Sequence, residues 1–98
     1  MIINNLLLKL KDRSPENIAK TKDVLLSMKG KIEELIDLKV EVNIRSGASS
    51  YDILLIAKYR SMKDLEAYLV HPAHIEVGKH IASVLENSAA VCYECEDI

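Results

Sequence analysis

From Leu38 to Ile44 the apolar residues Leu38, Val40, Val42 and Ile44 alternate with Lys39, Glu41 and Asn43. A period of two puts every second side chain on the same face, so the segment predicts a strand with one dry and one wet face, suited to a sheet edge. The stretch from Tyr51 to Tyr59 differs, because Ile53-Leu54-Leu55-Ile56-Ala57 is apolar on both parities. That is the pattern of a central strand with both faces buried. The small, polar segment Arg45-Ser46-Gly47-Ala48-Ser49-Ser50 supplies the turn between the two. Met1 to Lys11 reads as a further strand, with Leu6, Leu8 and Leu10 set against Asn5, Leu7, Lys9 and Lys11, and Ala89 to Glu96 reads as the last.

Between these strands the period lengthens. Ser14-Pro15 is a helix start, since a serine oxygen can accept from an unpaired amide and proline fits the first helical position. Ile18, Leu25, Met28 and Ile32 follow at helical spacing, Lys20, Asp23 and Ser27 supply a wet face, and Gly30 ends or interrupts the helix. Ser61-Met62-Lys63-Asp64 predicts a second capped start, and His71-Pro72 must end or kink the short helix that it opens. Pro72 can then begin another, in which His74, Val77, Ile81 and Leu85 share the core-facing side while Glu76, Lys79, His80, Ser83 and Glu86 face water.

The resulting order, β-α-β-β-α-β, predicts an α+β sandwich of ferredoxin-like type: a four-stranded antiparallel sheet with its helices on one face, built as one domain over residues 1–98. Helices on one face leave the other bare. Since the Tyr51 to Tyr59 strand is apolar on both parities, the expected cover is a second copy of the chain, packed sheet to sheet as a homodimer.

Composition narrows the partners. A formal net charge of -2, with lysines and arginines spread along 98 residues, forms no basic patch for a phosphate backbone, and with no Phe or Trp there is no aromatic stacking platform, so nucleic acid is not an expected partner. Leu6 to Leu8 is cut short by Lys9, Lys11, Asp12 and Arg13, far below the length of a membrane span; no membrane association and a cytoplasmic location are the expectations. Cys92 and Cys95 make no disulfide framework and are expected as free thiols, because on a strand positions three apart point to opposite faces.

Candidate chemistry lies in one stretch. All three histidines, His71, His74 and His80, fall within ten consecutive positions, and Tyr68 stands just before them. A neutral imidazole beside a phenol can accept a proton while the hydroxyl holds an oxygen on which charge develops. The alternative is structural: a histidine or tyrosine facing a core is ordinarily satisfied by a carbonyl or hydroxyl and does nothing further. His71, before a proline, reads as a residue that organises the turn, and His80 as solvated. No metal site is expected, because His71 precedes the helix and His80 lies off the face of His74, and no cofactor is expected either.

Tyr68-Leu69-Val70-His71-Pro72-Ala73-His74, with Leu8 to Lys11, the Lys29-Gly30-Lys31-Ile32 bend and the Ser50-Tyr51-Asp52 strand entry, resembles the stress-responsive dimeric α+β barrel (Dabb) domains over essentially the whole chain. Most members of that family have no established activity. One branch, the plant polyketide cyclases, closes rings by a cofactor-free aldol reaction, and there the resemblance implies Tyr68 and His74 as the catalytic pair. Family members commonly carry a histidine where this chain has Asn4, which can hydrogen-bond a ligand but cannot exchange protons near neutral pH. Asn4 shares parity with Leu6 and Leu8, which sets it to line a pocket with His74 from the sheet side.

Three functions follow as expectations. The first is a dimeric domain of unassigned role with a small-molecule pocket lined by His74, Tyr68 and Asn4, with His71 nearby as a further ligand contact. The second is a cofactor-free lyase, cyclase or isomerase acting on a small carbonyl or phenolic compound, with His74 as general base and Tyr68 as hydrogen-bond donor. The third is a purely structural dimerisation module.

Overall fold

The computed structural model describes residues 1–96. These form β1 (Ile2–Leu10), α1 (Pro15–Leu26), β2 (Asp37–Val42), β3 (Ile53–Tyr59), α2 (Met62–Leu69), α3 (Pro72–Val84) and β4 (Leu85–Glu94). The strands make one antiparallel sheet in the order β2-β3-β1-β4. The fold is therefore ferredoxin-like α+β, with β2 at an edge and β3 and β1 in the centre.

Local chemistry starts each helix. The Ser14 hydroxyl accepts from the Asn17 amide at 3.2 Å ahead of Pro15, and the Ser61 hydroxyl accepts from the Asp64 amide at 3.2 Å. After α1 the chain turns through Gly30, whose φ of +82° lies in the left-handed region that glycine enters without a Cβ clash.

Alternate residues of the central strands build the core. Leu8 and Leu10 of β1 and Ile53, Leu55, Ala57 and Tyr59 of β3 are buried on one face of the sheet, together with Leu25, Met28, Leu65, Tyr68 and Val77 from the helical layer. The opposite parity is only half-covered. There Leu7 stands across from Leu54 and Ala89, and Asn5 across from Ile56 and Val91, in an apolar band that ends with Val91 at 65% exposure. The expectation of a strand dry on both faces thus holds for the helix side of β3, whereas no helix among the described residues covers its other side.

Several boundaries move. β4 begins at Leu85 and not at Ala89, because the chain passes from α3 into the sheet without a loop, Leu85 already being extended (φ −84°, ψ 130°) and paired with Leu10. Leu85 to Ser88 carries no period because, after Leu85, both parities of this edge strand are exposed and neither face demands apolar side chains. β4 ends at Glu94, and of the expected Ala89 to Glu96 strand Cys95 lies beyond its end, although the Cys95 amide still donates to the Met1 carbonyl at 2.7 Å. β2 ends at Val42, which leaves Ile44 at 99% exposure. Cys92 and Cys95 are both free and exposed. No helix among the described residues is long and apolar enough to cross a membrane.

Tyr51 and Asp52 precede β3, and Asp52 does other work. Its carboxylate, 6% exposed, accepts from the Leu10 amide at 2.9 Å and from the Arg13 Nε at 2.9 Å. The same guanidinium donates to the carbonyls of Gly47 and Ser50, both at 3.0 Å, so one ion pair ties the 45–50 turn to the junction of β1 and α1. Removing the carboxylate strands the buried Leu10 amide and takes the counter-charge from the guanidinium that holds the two carbonyls. Asp52→Ala is expected to destabilise the fold by about 2–3 kcal/mol, measured by urea unfolding; an unchanged midpoint would show that the turn is held by something else.

Candidate functional site

The His71-Pro72 corner positions the site. His71 is the N-cap of α3, its Nδ1 accepting from the Ala73 amide at 3.0 Å, and Pro72 takes the first helical position. One turn later His74 reaches back over the end of α2, where its Nδ1 lies 3.1 Å from the Leu69 carbonyl. A carbonyl only accepts, so Nδ1 carries the proton and Nε2 is left as the basic nitrogen of a neutral ring. The rings of His74 and Tyr68 are 4.4 Å apart at 51°, and Tyr68 in turn packs 5.0 Å from Tyr59 at 55°. The Tyr68 hydroxyl donates to Met28 Sδ at 3.6 Å, a weak acceptor.

These side chains border a cavity of about 300 Å³ between the sheet and α3. Its polar groups come from Asn4, Tyr68 and His74, and its walls from Leu6, Leu25, Met28, Leu55, Val77 and Ile81. That volume is at the lower end of small-molecule sites, and a mostly apolar wall with a few convergent polar groups is their usual make-up. Burial acts on both titratable groups. It pushes the His74 imidazole below its ordinary value, against a smaller upward pull from the Leu69 carbonyl, and it pushes the Tyr68 phenol up, against a downward pull from the Tyr59 hydroxyl. At neutral pH the pair is a neutral base beside a neutral donor.

The structure brings together Asn4, Tyr68 and His74, while His71 is engaged as a cap and does not line the cavity. His80 is not simply solvated, as its place on the polar face suggested. It is half-buried, and its Nε2 is inaccessible and has no partner among the described residues. Among the described residues no group of three or more His, Cys, Asp and Glu side chains could hold a metal ion.

Gly78 was not singled out by sequence reasoning. It lies one helical turn after His74, lines the cavity, and has open space where a Cβ would stand. A glycine inside a helix costs about 1 kcal/mol relative to alanine, and its position at i+4 from His74 was the available signal. Met28 and the Leu69 carbonyl carried no signal, since their contacts to Tyr68 and His74 depend on how the helices pack. A separate groove of about 480 Å³ beside the end of β2 and the start of β3, bordered by Leu7, Val42, Ile44 and Leu54, has no histidine and adjoins the apolar band described above.

Fold and site together define a ferredoxin-like α+β domain with a tyrosine–histidine cavity between sheet and helices. The chain matches the family described as Stress responsive A/B Barrel Domain over residues 5–95, and it belongs to that family. It is 34% identical over 79 residues to a stress-response A/B barrel domain-containing protein of Arabidopsis thaliana, covering 71% of this chain and 38% of that protein's length. It is similar to a solved dimeric protein of unknown function and ferredoxin-like fold from Bacteroides fragilis, with 25% identity, a TM-score of 0.80 and coverage of 96% and 95% of the two chains. It also shares its fold with a hydroxynitrile lyase from Passiflora edulis, at 13% identity, a TM-score of 0.83 and coverage of 99% and 94%.

Two outcomes follow from the cavity. NMR titration is expected to place the His74 pKa below the ordinary value of about 6.5. Because the folded state then binds fewer protons than the unfolded state, stability should be highest above about pH 6.5 and fall as the pH drops from there to the lowered His74 value, a slope that His74→Gln removes. Gly78→Ala should raise stability by up to about 1 kcal/mol, by helix propensity and without a clash, while taking a methyl's volume from the cavity. A fall in thermal midpoint would contradict the open space at that position.

Proposed function

We propose that the chain works as a homodimer packed through the open sheet face, each protomer carrying a pocket for a small carbonyl or phenolic compound lined by His74, Tyr68 and Asn4. The observation that carries the pocket reading is the 3.1 Å contact of His74 Nδ1 with the Leu69 carbonyl, which assigns the tautomer: with Nδ1 so spent, the basic Nε2 belongs to a side chain on the cavity wall, 4.4 Å ring to ring from a phenol. Such a pair supplies one acceptor and one donor to a ligand oxygen or acidic proton. The dimer is supported by the apolar parity of Leu7, Leu54 and Ile56, by Val91 beside it, and by the dimeric state of the Bacteroides fragilis relative.

The same geometry favours a second reading, proton abstraction without a cofactor. His74 Nε2 would take a proton from carbon next to a carbonyl, the C–H electrons would move onto the carbonyl oxygen, and the Tyr68 hydroxyl would hold that oxygen until His74 returns the proton. Asn4 contributes a hydrogen bond and no proton exchange. The lyase among the structural neighbours supports this reading only to the extent that the fold accommodates an enzyme.

Ligand-detected NMR with a panel of small phenols and 1,3-diketones tests the pocket. His74→Ala and Tyr68→Phe should each weaken binding about tenfold, a loss of about 1.4 kcal/mol, while His80→Ala leaves it unchanged. Loss of stability in His74→Ala with no ligand found would favour a packed structural histidine. Sedimentation at micromolar concentration should report twice the 11.0 kDa chain mass. Leu54→Lys, on the open face, should give a folded monomer, because it charges the contact and leaves the helix-side core untouched.

A further inference from the structure

We propose that Tyr59 is a positioning residue for Tyr68: its buried hydroxyl donates to Tyr68 Oη when Tyr68 turns its own proton to the ligand, which selects ligands held as small phenolate or enolate oxyanions. The inference rests on the pocket reading and adds to it a residue outside the cavity wall and a ligand charge state.

Tyr59 closes β3 on the helix side, opposite Ile2, at 0% exposure. Its hydroxyl is inaccessible and has no hydrogen-bond partner among the described residues. Buried hydroxyls are almost always paired, and phenylalanine would fill the same space without a stranded polar group, so the oxygen calls for a partner that the described residues do not give it. The neighbouring ring is Tyr68, at 5.0 Å, and beyond it stands His74, at 4.4 Å, so the three rings run in series from the core to the cavity.

The direction of donation follows from what each group can do. Tyr68 spends its proton on Met28 Sδ at 3.6 Å, a soft acceptor that is readily given up for a charged oxygen. Donating that proton leaves the lone pairs of Tyr68 Oη free to accept, and the Tyr59 ring, 5.0 Å away, carries a hydroxyl, unpaired among the described residues, with a proton to give. The titration preferences agree: Tyr59 is pushed far up by burial and then by Tyr68, while Tyr59 pulls the Tyr68 phenol down against burial. Tyr59 therefore keeps its proton and donates. A phenol whose oxygen accepts a hydrogen bond is the stronger donor in turn, which matters most toward a full negative charge. His74 Nε2 completes the balance: the ligand O–H bond breaks, its proton goes to Nε2, and the bonding pair stays on the ligand oxygen facing Tyr68.

The test uses 4-nitrophenol, whose anion has its own visible absorption band, titrated over pH with saturating protein. Wild type should shift the probe's ionisation to lower pH. Tyr59→Phe should reduce that preference for the anion by about threefold to tenfold without lowering the thermal midpoint. Tyr68→Phe should reduce it further, leaving the part due to His74, and Tyr59→Phe combined with Tyr68→Phe should be no worse than Tyr68→Phe alone, because Tyr59 acts through Tyr68. An unchanged anion preference in Tyr59→Phe, additive effects of the two substitutions, or a lowered midpoint for Tyr59→Phe would each overturn the role of Tyr59 while leaving the pocket in place. Absence of saturable binding to wild type would overturn the pocket reading and this inference with it.

Discussion

Leu8 and Leu10 of β1 and Ile53, Leu55, Ala57 and Tyr59 of β3 are nearly inaccessible beneath the helices, and each large side chain so buried stabilises the fold by about 1.5–3 kcal/mol. A two-residue period turns the next side chain to the opposite face, so the strands that fill this core must also display Leu7, Leu54 and Ile56 where no helix reaches. One layer of helices can satisfy only one parity. The open apolar band is therefore a consequence of how the core is built, and a partner sheet is the simplest way to cover it.

The cavity arises where this core is least complete. Toward one end of the helix-side face, β1 offers Asn4 in place of a leucine and α3 offers Gly78 in place of a larger side chain, while the His71-Pro72 corner brings Tyr68 and His74 in from two helices. A proline cannot continue α2, and the cap that restarts the chain as α3 sets His74 one turn in, within reach of the last carbonyls of α2. Thus the break in the helix both forms the pocket and fixes the tautomer of the histidine in it.

Electrostatics are used sparingly and at joints. The Asp52–Arg13 pair gathers the amide of Leu10 and the carbonyls of Gly47 and Ser50, and so holds the polar 45–50 turn against the start of α1. By contrast the cavity contains no formal charge at neutral pH, because burial keeps His74 and Tyr68 neutral. A neutral site in apolar surroundings answers strongly to charge that a ligand brings or develops.

Much of the architecture was legible in the residues themselves. Alternation marked β2 and β1, the two-sided apolar run marked β3 as central, and Ser14-Pro15, Ser61-Met62-Lys63-Asp64 and His71-Pro72 marked the helix starts, because period and capping are local properties of the chain. The stretch from Tyr68 to His74 also drew attention by composition alone. Register and packing decided the rest. Leu85 to Ser88 joins the sheet although an exposed edge imposes no period on it, and His80 is half-buried although helical spacing set it toward water. Asn4 and His74 come to line one cavity, Asp52 pairs with Arg13, and the Tyr59 ring packs against Tyr68 only once strands and helices far apart in sequence are stacked. The chain alone determined where most strands and helices start and which residues are candidates for chemistry; the tertiary structure alone decided which of them meet, because contact across layers depends on long-range geometry that no local pattern encodes.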